Sequence, residues 1–145
     1  MRITNKVSAL LLLVLLGGCS TTTLASADAD AEAKRFAVPT GKARIYVVRC
    51  SSQGGVYLMQ AILDGRVLGD LQARSYLVAD VTPGEHTLSL GAASLGSQVQ
   101  TFRVEADHAY YYVLHAFQPL KLDSVEEGQA CVRSSKRVMA VSTPE

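Results

Sequence analysis

The sequence predicts an all-β fold, a single β-sandwich of short antiparallel strands over residues 41 to 145, and three observations carry that reading. Short runs of β-branched, aromatic and aliphatic residues recur from Ala43 onward. Turn-forming pairs such as Asp64-Gly65 and Pro83-Gly84 punctuate them, and no stretch carries a convincing helical apolar stripe.

The elements follow in chain order. Residues 1 to 6, "MRITNK", are basic through Arg2 and Lys6, and an apolar run from Val7 to Leu16 follows. That is the charged head and apolar body of an export signal, about half the ~20 residues that a membrane-crossing helix requires. It ends in Leu16, Gly17, Gly18 and Cys19, an order that resembles the lipobox of bacterial lipoproteins. The resemblance implies a signal peptide over residues 1 to 18, cut before Cys19, with a diacylglycerol on the Cys19 thiol and a fatty acid on its amine. One acyl chain holds a protein only marginally, at about 0.8 kcal/mol per buried CH₂, so several chains on one residue make a durable attachment to the membrane. Ser20, where lipoproteins kept at the inner membrane often carry Asp, points to the outer membrane.

Cleavage before Cys19 leaves 127 of the 145 residues, enough for one domain. It also removes two of the 14 basic residues, leaving 12 against 13 acidic ones, and a formal charge of −1 gives no electrostatic reason to expect nucleic acid. Residues 19 to 40 are rich in Ser, Thr, Ala and Asp and are expected to form a flexible tether. Its root-mean-square span would be roughly 25 Å and its contour about 70 Å. A short helix over "ADADAEAKRFA" is the alternative, but without an apolar stripe it would have nothing to dock on.

The strands then begin. "ARIYVVR" (43 to 49) is β-branched and aromatic, and "SSQGG" breaks it. "VYLMQAIL" (56 to 63) runs into Asp64-Gly65, the pair favoured in a type I′ hairpin turn with glycine at positive φ, and "RVLG" pairs back. "YLVADV" (76 to 81), the Pro83-Gly84 turn and the alternating "EHTLSLG" (85 to 91) come next. "QVQTFRVE", an Asp107-His108 corner and "AYYYVLHAF" follow, and "RVMAV" is a candidate last strand.

"GKARIYVVR", "AILDGRVLGDL", "YLVADVTPGEHTLSL" and "AYYYVLHA", in this order, resemble the small bacterial lipoproteins of the domain of unknown function 2846 family. "LDGRVLGDL" followed by "VTPGEHTL" is also similar to the PEGA type of extracytoplasmic β-domain. The resemblance covers about residues 41 to 127 and consists of turns and strand starts. It implies the fold and no catalytic residue.

Chemistry-bearing motifs are few. His86, His108 and His115 have no metal-ligand spacing, and neither Cys-x-x-Cys nor His-x-x-x-His occurs. "GAASLG" does not fit a nucleophile elbow, and "SSQGG" lacks the following helix that a phosphate cradle needs. Glu126-Glu127 reads as a solvated pair in an exposed turn. No catalytic residue, metal or cofactor is expected.

With Cys19 alkylated, Cys50 and Cys131 remain in a compartment where disulfides persist. A bridge between them would close a loop of about 80 residues and constrain the unfolded chain by roughly 4 to 5 kcal/mol; two buried free thiols are the alternative. Three strands are apolar on both faces: Ile45 and Val47 alternate with Tyr46 and Val48, Val56, Leu58 and Ile62 with Tyr57, Met59 and Leu63, and Tyr110, Tyr112 and Leu114 with Tyr111, Val113 and Phe117. A sandwich strand buries one face and wets the other, so something must cover the second, either this chain's own C-terminal segment and loops or an envelope partner. If Tyr111, Val113 and Phe117 face the core, Tyr110 and Tyr112 point outward as a partner surface; the opposite orientation would bury them instead.

The sequence therefore predicts a lipid-anchored outer-membrane lipoprotein facing the periplasm, a non-catalytic binding or structural module. The alternatives are a small inhibitor of an envelope-directed enzyme, presenting the "SSQGG" or "GAASLG" loop, and a periplasmic enzyme.

Overall fold

The computed structural model of the chain describes residues 22–53, 57–92, 96–115 and 118–141. Helix α1 (Ala27–Ala33) precedes strands β1 (Ala43–Arg49), β2 (Met59–Leu63), β3 (Arg66–Leu71), β4 (Ser75–Val81), β5 (Gly84–Ala92), β6 (Gly96–Val104), β7 (Ala109–Leu114) and β8 (Lys121–Asp123). Helix α2 (Val125–Arg133) and the short β9 (Lys136–Arg137) complete it. The strands form a five-stranded sheet in the order β8-β7-β1-β4-β9 and a four-stranded sheet in the order β3-β2-β5-β6. The all-β sandwich is thus observed. The expectation of purely antiparallel strands is corrected, because β1 pairs in parallel with β7 and β4 with β9. Parallel pairing needs long connections, and these are supplied by β2 to β6 between β1 and β7 and by β5 to β8 with α2 between β4 and β9.

Local chemistry sets the turns. Asp64 and Gly65 have φ of 50° and 77°, the paired positive values of a type I′ turn, and β2 and β3 pair across it. The turn is pinned from the neighbouring strand: Thr87 N–H donates to Asp64 Oδ1, and Asp64 N–H donates to the Thr87 carbonyl. His86 sits between Asp64 Oδ2 at 2.6 Å and the Thr82 carbonyl at 2.7 Å. Burial works against its charge, but these two acceptors outweigh burial and raise its pKa. Pro83-Gly84 is not a hairpin; it carries the chain from β4 in one sheet to β5 in the other. At the Asp107-His108 corner, Asp107 adopts φ 63°, its Oδ1 accepts from Gly41 N–H, and its own N–H donates to the Lys42 carbonyl. That clasp aligns the starts of β7 and β1.

Between the sheets lies the first core, built from Ile45, Val47, Leu77, Tyr112 and Leu114 on one side and Met59, Ala61, Leu63, Leu71, Leu88 and Leu90 on the other. Both flanks are closed. On one, Leu120 is buried while its backbone is held by the Gln98 and Gln100 side chains of β6. On the other, Val138 is buried and Val141 N–H donates to the Leu68 carbonyl of β3.

The expected outward orientation of Tyr110 and Tyr112 is therefore corrected. Tyr112 is 2% exposed and packs on Phe102 with ring centroids 4.6 Å apart, while Tyr110 is half-buried against the same core. Phe117, like Val56, lies outside the described residues. The faces are reversed because the other side of the five-stranded sheet is covered as well. Tyr46, Val48, Tyr76, Tyr111 and Val113 form a second core beneath the two helices, with Ala33, Phe36 and Val132 above them.

Helix α2 corrects the expectation that no stretch of the domain carries a helical apolar stripe. Ser124 is its N-cap, its Oγ accepting from Glu127 N–H and donating to the Glu127 carboxylate, on the Ser-x-x-Glu sequence that favours a helix start. The helix closes on the sheet at Gly128, where a Cβ would stand 2.3 Å from Tyr111 Cβ. The Cys50–Cys131 disulfide, with Cα atoms 5.4 Å apart, ties α2 to the end of β1. Gly128→Ala should cost about 1 to 3 kcal/mol, from overpacking against Tyr111 in excess of the helical gain of alanine. Urea unfolding measures it, and an unchanged midpoint would contradict this packing.

Candidate functional site

The sequence reading places function at the N-terminus, and the described chain begins there with a structured segment. Cys19 lies outside the described residues, but from Thr22 onward the expected tether is folded against the domain. Leu24 forms an antiparallel bridge with Val138, flanked by Ala25 N–H donating to the Arg137 carbonyl and Met139 N–H donating to the Thr23 carbonyl. Ser26 then caps α1, its Oγ accepting from Ala29 N–H, with Asp28 and Asp30 in the first turn where the helix dipole favours carboxylates.

Asp30 fastens the helix. Its Oδ1 accepts from Tyr76 Oη at 2.7 Å and from Arg137 N–H at 2.9 Å, and its Oδ2 accepts from Lys34 Nζ at 2.7 Å. Lys34 Nζ also donates to the Ser135 carbonyl, and Arg137 Nη1 donates to the Ala29 carbonyl. At the helix C-terminus Tyr46 Oη donates to the Ala33 carbonyl at 2.7 Å. Buried tyrosine hydroxyls thus supply the dock, and burial pushes the Tyr46 phenol up to about 12 and raises that of Tyr76 as well. Burial raises the Asp30 carboxyl, but the hydrogen bonds from Lys34, Tyr76 and Arg137 outweigh it and hold it below the usual aspartate range.

Phe36 completes the attachment. Its φ of 58° lies in the left-handed region, a cost of about 1 to 2 kcal/mol for a residue with a Cβ. The turn sends its ring onto Tyr46 and Tyr111 at 5.7 and 6.1 Å, with the Arg133 guanidinium over its other side at 5.0 Å. Tyr46 and Tyr111 stack beneath it at 4.9 Å. The free tether is therefore corrected: one acidic side chain and one aromatic ring hold a helix that has no apolar stripe.

Of the residues singled out from sequence, Cys50 and Cys131 are brought together, and Tyr110 and Tyr112 belong to the inter-sheet core. A different group, missed in the sequence, gathers beside the disulfide. A depression of about 390 Å³ is lined by His115, Lys121, Asp123 and Glu127 together with Cys131 and Ser134. Asp123 Oδ2 lies 2.9 Å from His115 Nε2, and its Oδ1 lies 2.7 Å from Lys121 Nζ. Burial raises the Asp123 carboxyl, and these two partners more than offset it. The group can hydrogen-bond a small polar ligand. Cys131 is taken up in the disulfide and Ser134 Oγ donates to the Cys131 carbonyl, so among the described lining residues neither is held against His115 as a nucleophile. The nearness in sequence of His115, Lys121 and Asp123 was the available signal, but it resembles no motif.

Among the described residues no three His, Cys, Asp or Glu side chains are placed to hold a metal ion, and no helix is long and apolar enough to cross a membrane. The loops proposed for an inhibitor fall partly outside the described residues, at 54–55 and 93–95. Neither a scan against protein-family models nor a search of curated proteins finds a match to this chain.

Asp30→Ala should lower stability at pH 7 by about 1 to 3 kcal/mol, since charge-assisted hydrogen bonds are each worth about that much when partly shielded. A carboxyl whose folded pKa lies below its unfolded value contributes fully above the unfolded value, near 3.9, and loses the contribution as pH falls through the folded one. The difference between parent and variant should therefore shrink as pH falls below the unfolded value of about 3.9. Urea midpoints across pH check this, and equal midpoints at pH 7 would show that the dock contributes nothing.

Proposed function

We propose that this chain is a lipid-anchored protein of the bacterial cell envelope, attached through Cys19, acting as a non-catalytic binding or structural module. The outer membrane, with the domain on its periplasmic side, is the location the reading favours, and kinship with the domain of unknown function 2846 lipoproteins is part of it. The observation that carries it is the order Leu16, Gly17, Gly18, Cys19 directly after a basic head and a short apolar run. The Cys50–Cys131 disulfide supports it, because such bonds persist in oxidising compartments and are reduced in the cytosol. A periplasmic enzyme is the second reading, and its support is the convergence of His115, Lys121, Asp123 and Glu127 on one depression.

Replacing the thiol tests the anchor. Cys19→Ser should abolish incorporation of labelled fatty acid in growing cells and move the protein out of the membrane fraction. A variant that remains labelled would overturn the reading.

A further inference from the structure

The anchor point and the fold meet at one flank. Residues 22 to 25 are hydrogen-bonded into the domain through Met139 and Arg137, and only three residue steps separate Thr22 from Cys19. At no more than about 3.6 Å per residue, those steps reach roughly 11 Å. A lipidated Cys19 therefore leaves this flank almost no room to stand away from a bilayer.

The side chains there suit that position. Leu24, Met139 and Val141 are 41%, 55% and 52% exposed, three of the large apolar side chains that the domain leaves in water. Their backbones lie along one flank: Leu24 bridges Val138, Met139 follows it, and Val141 N–H donates to Leu68 on the edge strand β3. Next to them Arg74 and Lys136 are exposed, joined by Lys136 N–H donating to the Arg74 carbonyl. Among the described residues no carboxylate pairs with either. An apolar strip with a cationic margin is the composition of surfaces that settle into the headgroup region, with apolar groups about 5 to 10 Å deep and cations at the phosphates.

Resting on the lipid-anchor reading, we propose that this flank is the membrane-facing surface of the domain, with Leu24, Met139 and Val141 entering the headgroup layer and Arg74 and Lys136 meeting lipid phosphates. The lipid then fixes orientation as well as location. The domain lies against the bilayer, and β6, at the far edge of the four-stranded sheet from β3, points away from it.

The chain has no tryptophan, so single reporters can be introduced. Met139→Trp places one on the flank, and Val99→Trp places one on β6, where Val99 is 62% exposed. The mature lipidated proteins are reconstituted into vesicles of phosphatidylethanolamine and phosphatidylglycerol with brominated acyl chains and separated by flotation. Both should float, with Met139→Trp fluorescence quenched about twofold or more and Val99→Trp nearly unquenched, as a burial depth of about 5 to 10 Å requires. Val141→Trp serves in place of Met139→Trp if that variant does not fold. Flotation with equal quenching at both sites would overturn the orientation and leave the anchor standing. Failure to float would remove the anchor, and the orientation with it. A blue shift of Met139→Trp that grows with protein concentration without vesicles would assign the flank to a second copy of the chain and overturn the proposal.

Discussion

A sheet that is apolar on both faces must be covered twice, and most of this structure follows from that requirement. Strand β1 sets Ile45 and Val47 against Tyr46 and Val48, and all four are fully buried. One face is met by the four-stranded sheet and the other by α1 and α2, giving two cores that share a single layer of backbone. The central position of β1 between β7 and β4 and the disulfide at its end serve the second cover. Without it Tyr46, Tyr76 and Tyr111 would lie open to water as a contiguous apolar surface.

The two helices reach that face by different physics. Helix α2 packs by shape: Gly128 removes the side chain where Tyr111 comes closest, Val132 fills the space beyond, and Cys131 is covalently bound to Cys50. Helix α1 is too short and too polar to dock by area, with Ala33 its only buried residue among those described. It is held by charge-assisted hydrogen bonds through Asp30 and by Phe36, a ring delivered at the cost of a left-handed backbone. The tyrosines of the second core make both possible, since each presents a ring to the apolar layer and a hydroxyl to a helix.

Much of the sandwich was legible in the sequence because strand and turn signals are local. Asp64-Gly65 specifies its turn through backbone φ alone, and the double alternation in β1 and β7 announced a second cover. What covers it was harder to read. The Ser124-x-x-Glu127 box was a visible start signal for α2, but Glu126-Glu127 read as a solvated pair in an exposed turn, and the close packing that Gly128 allows depends on Tyr111 from another element. The docking of α1 was not legible, since it depends on Asp30 meeting Tyr76 and Arg137 from 46 and 107 residues away. The inward orientation of Tyr112 was equally hidden, because period-two alternation separates two faces without saying which one meets the other sheet. The Cys50–Cys131 bridge was one of two alternatives, beside two free thiols, because sequence cannot show that the Cα atoms come within bridging distance, and the His115 and Asp123 pair carried no recognisable spacing.

For the proposed function, the consequence is that residues 22 to 36, expected as a tether, are part of the domain, so that an anchor at Cys19 would hold the fold close to a membrane rather than at the end of a long leash. Amide hydrogen exchange of residues 30 to 36 in the mature protein tests this most directly, because a docked helix and a free one differ by the whole of the docking free energy. If α1 is integral, the N–H groups of Lys34, Arg35 and Phe36, which donate to Asp30, Glu32 and Ala33, should be protected at least about a hundredfold over an unstructured chain. Exchange at the rate of a free peptide, with β1 and β7 still protected, would show that the second core stands without α1 and would contradict the account.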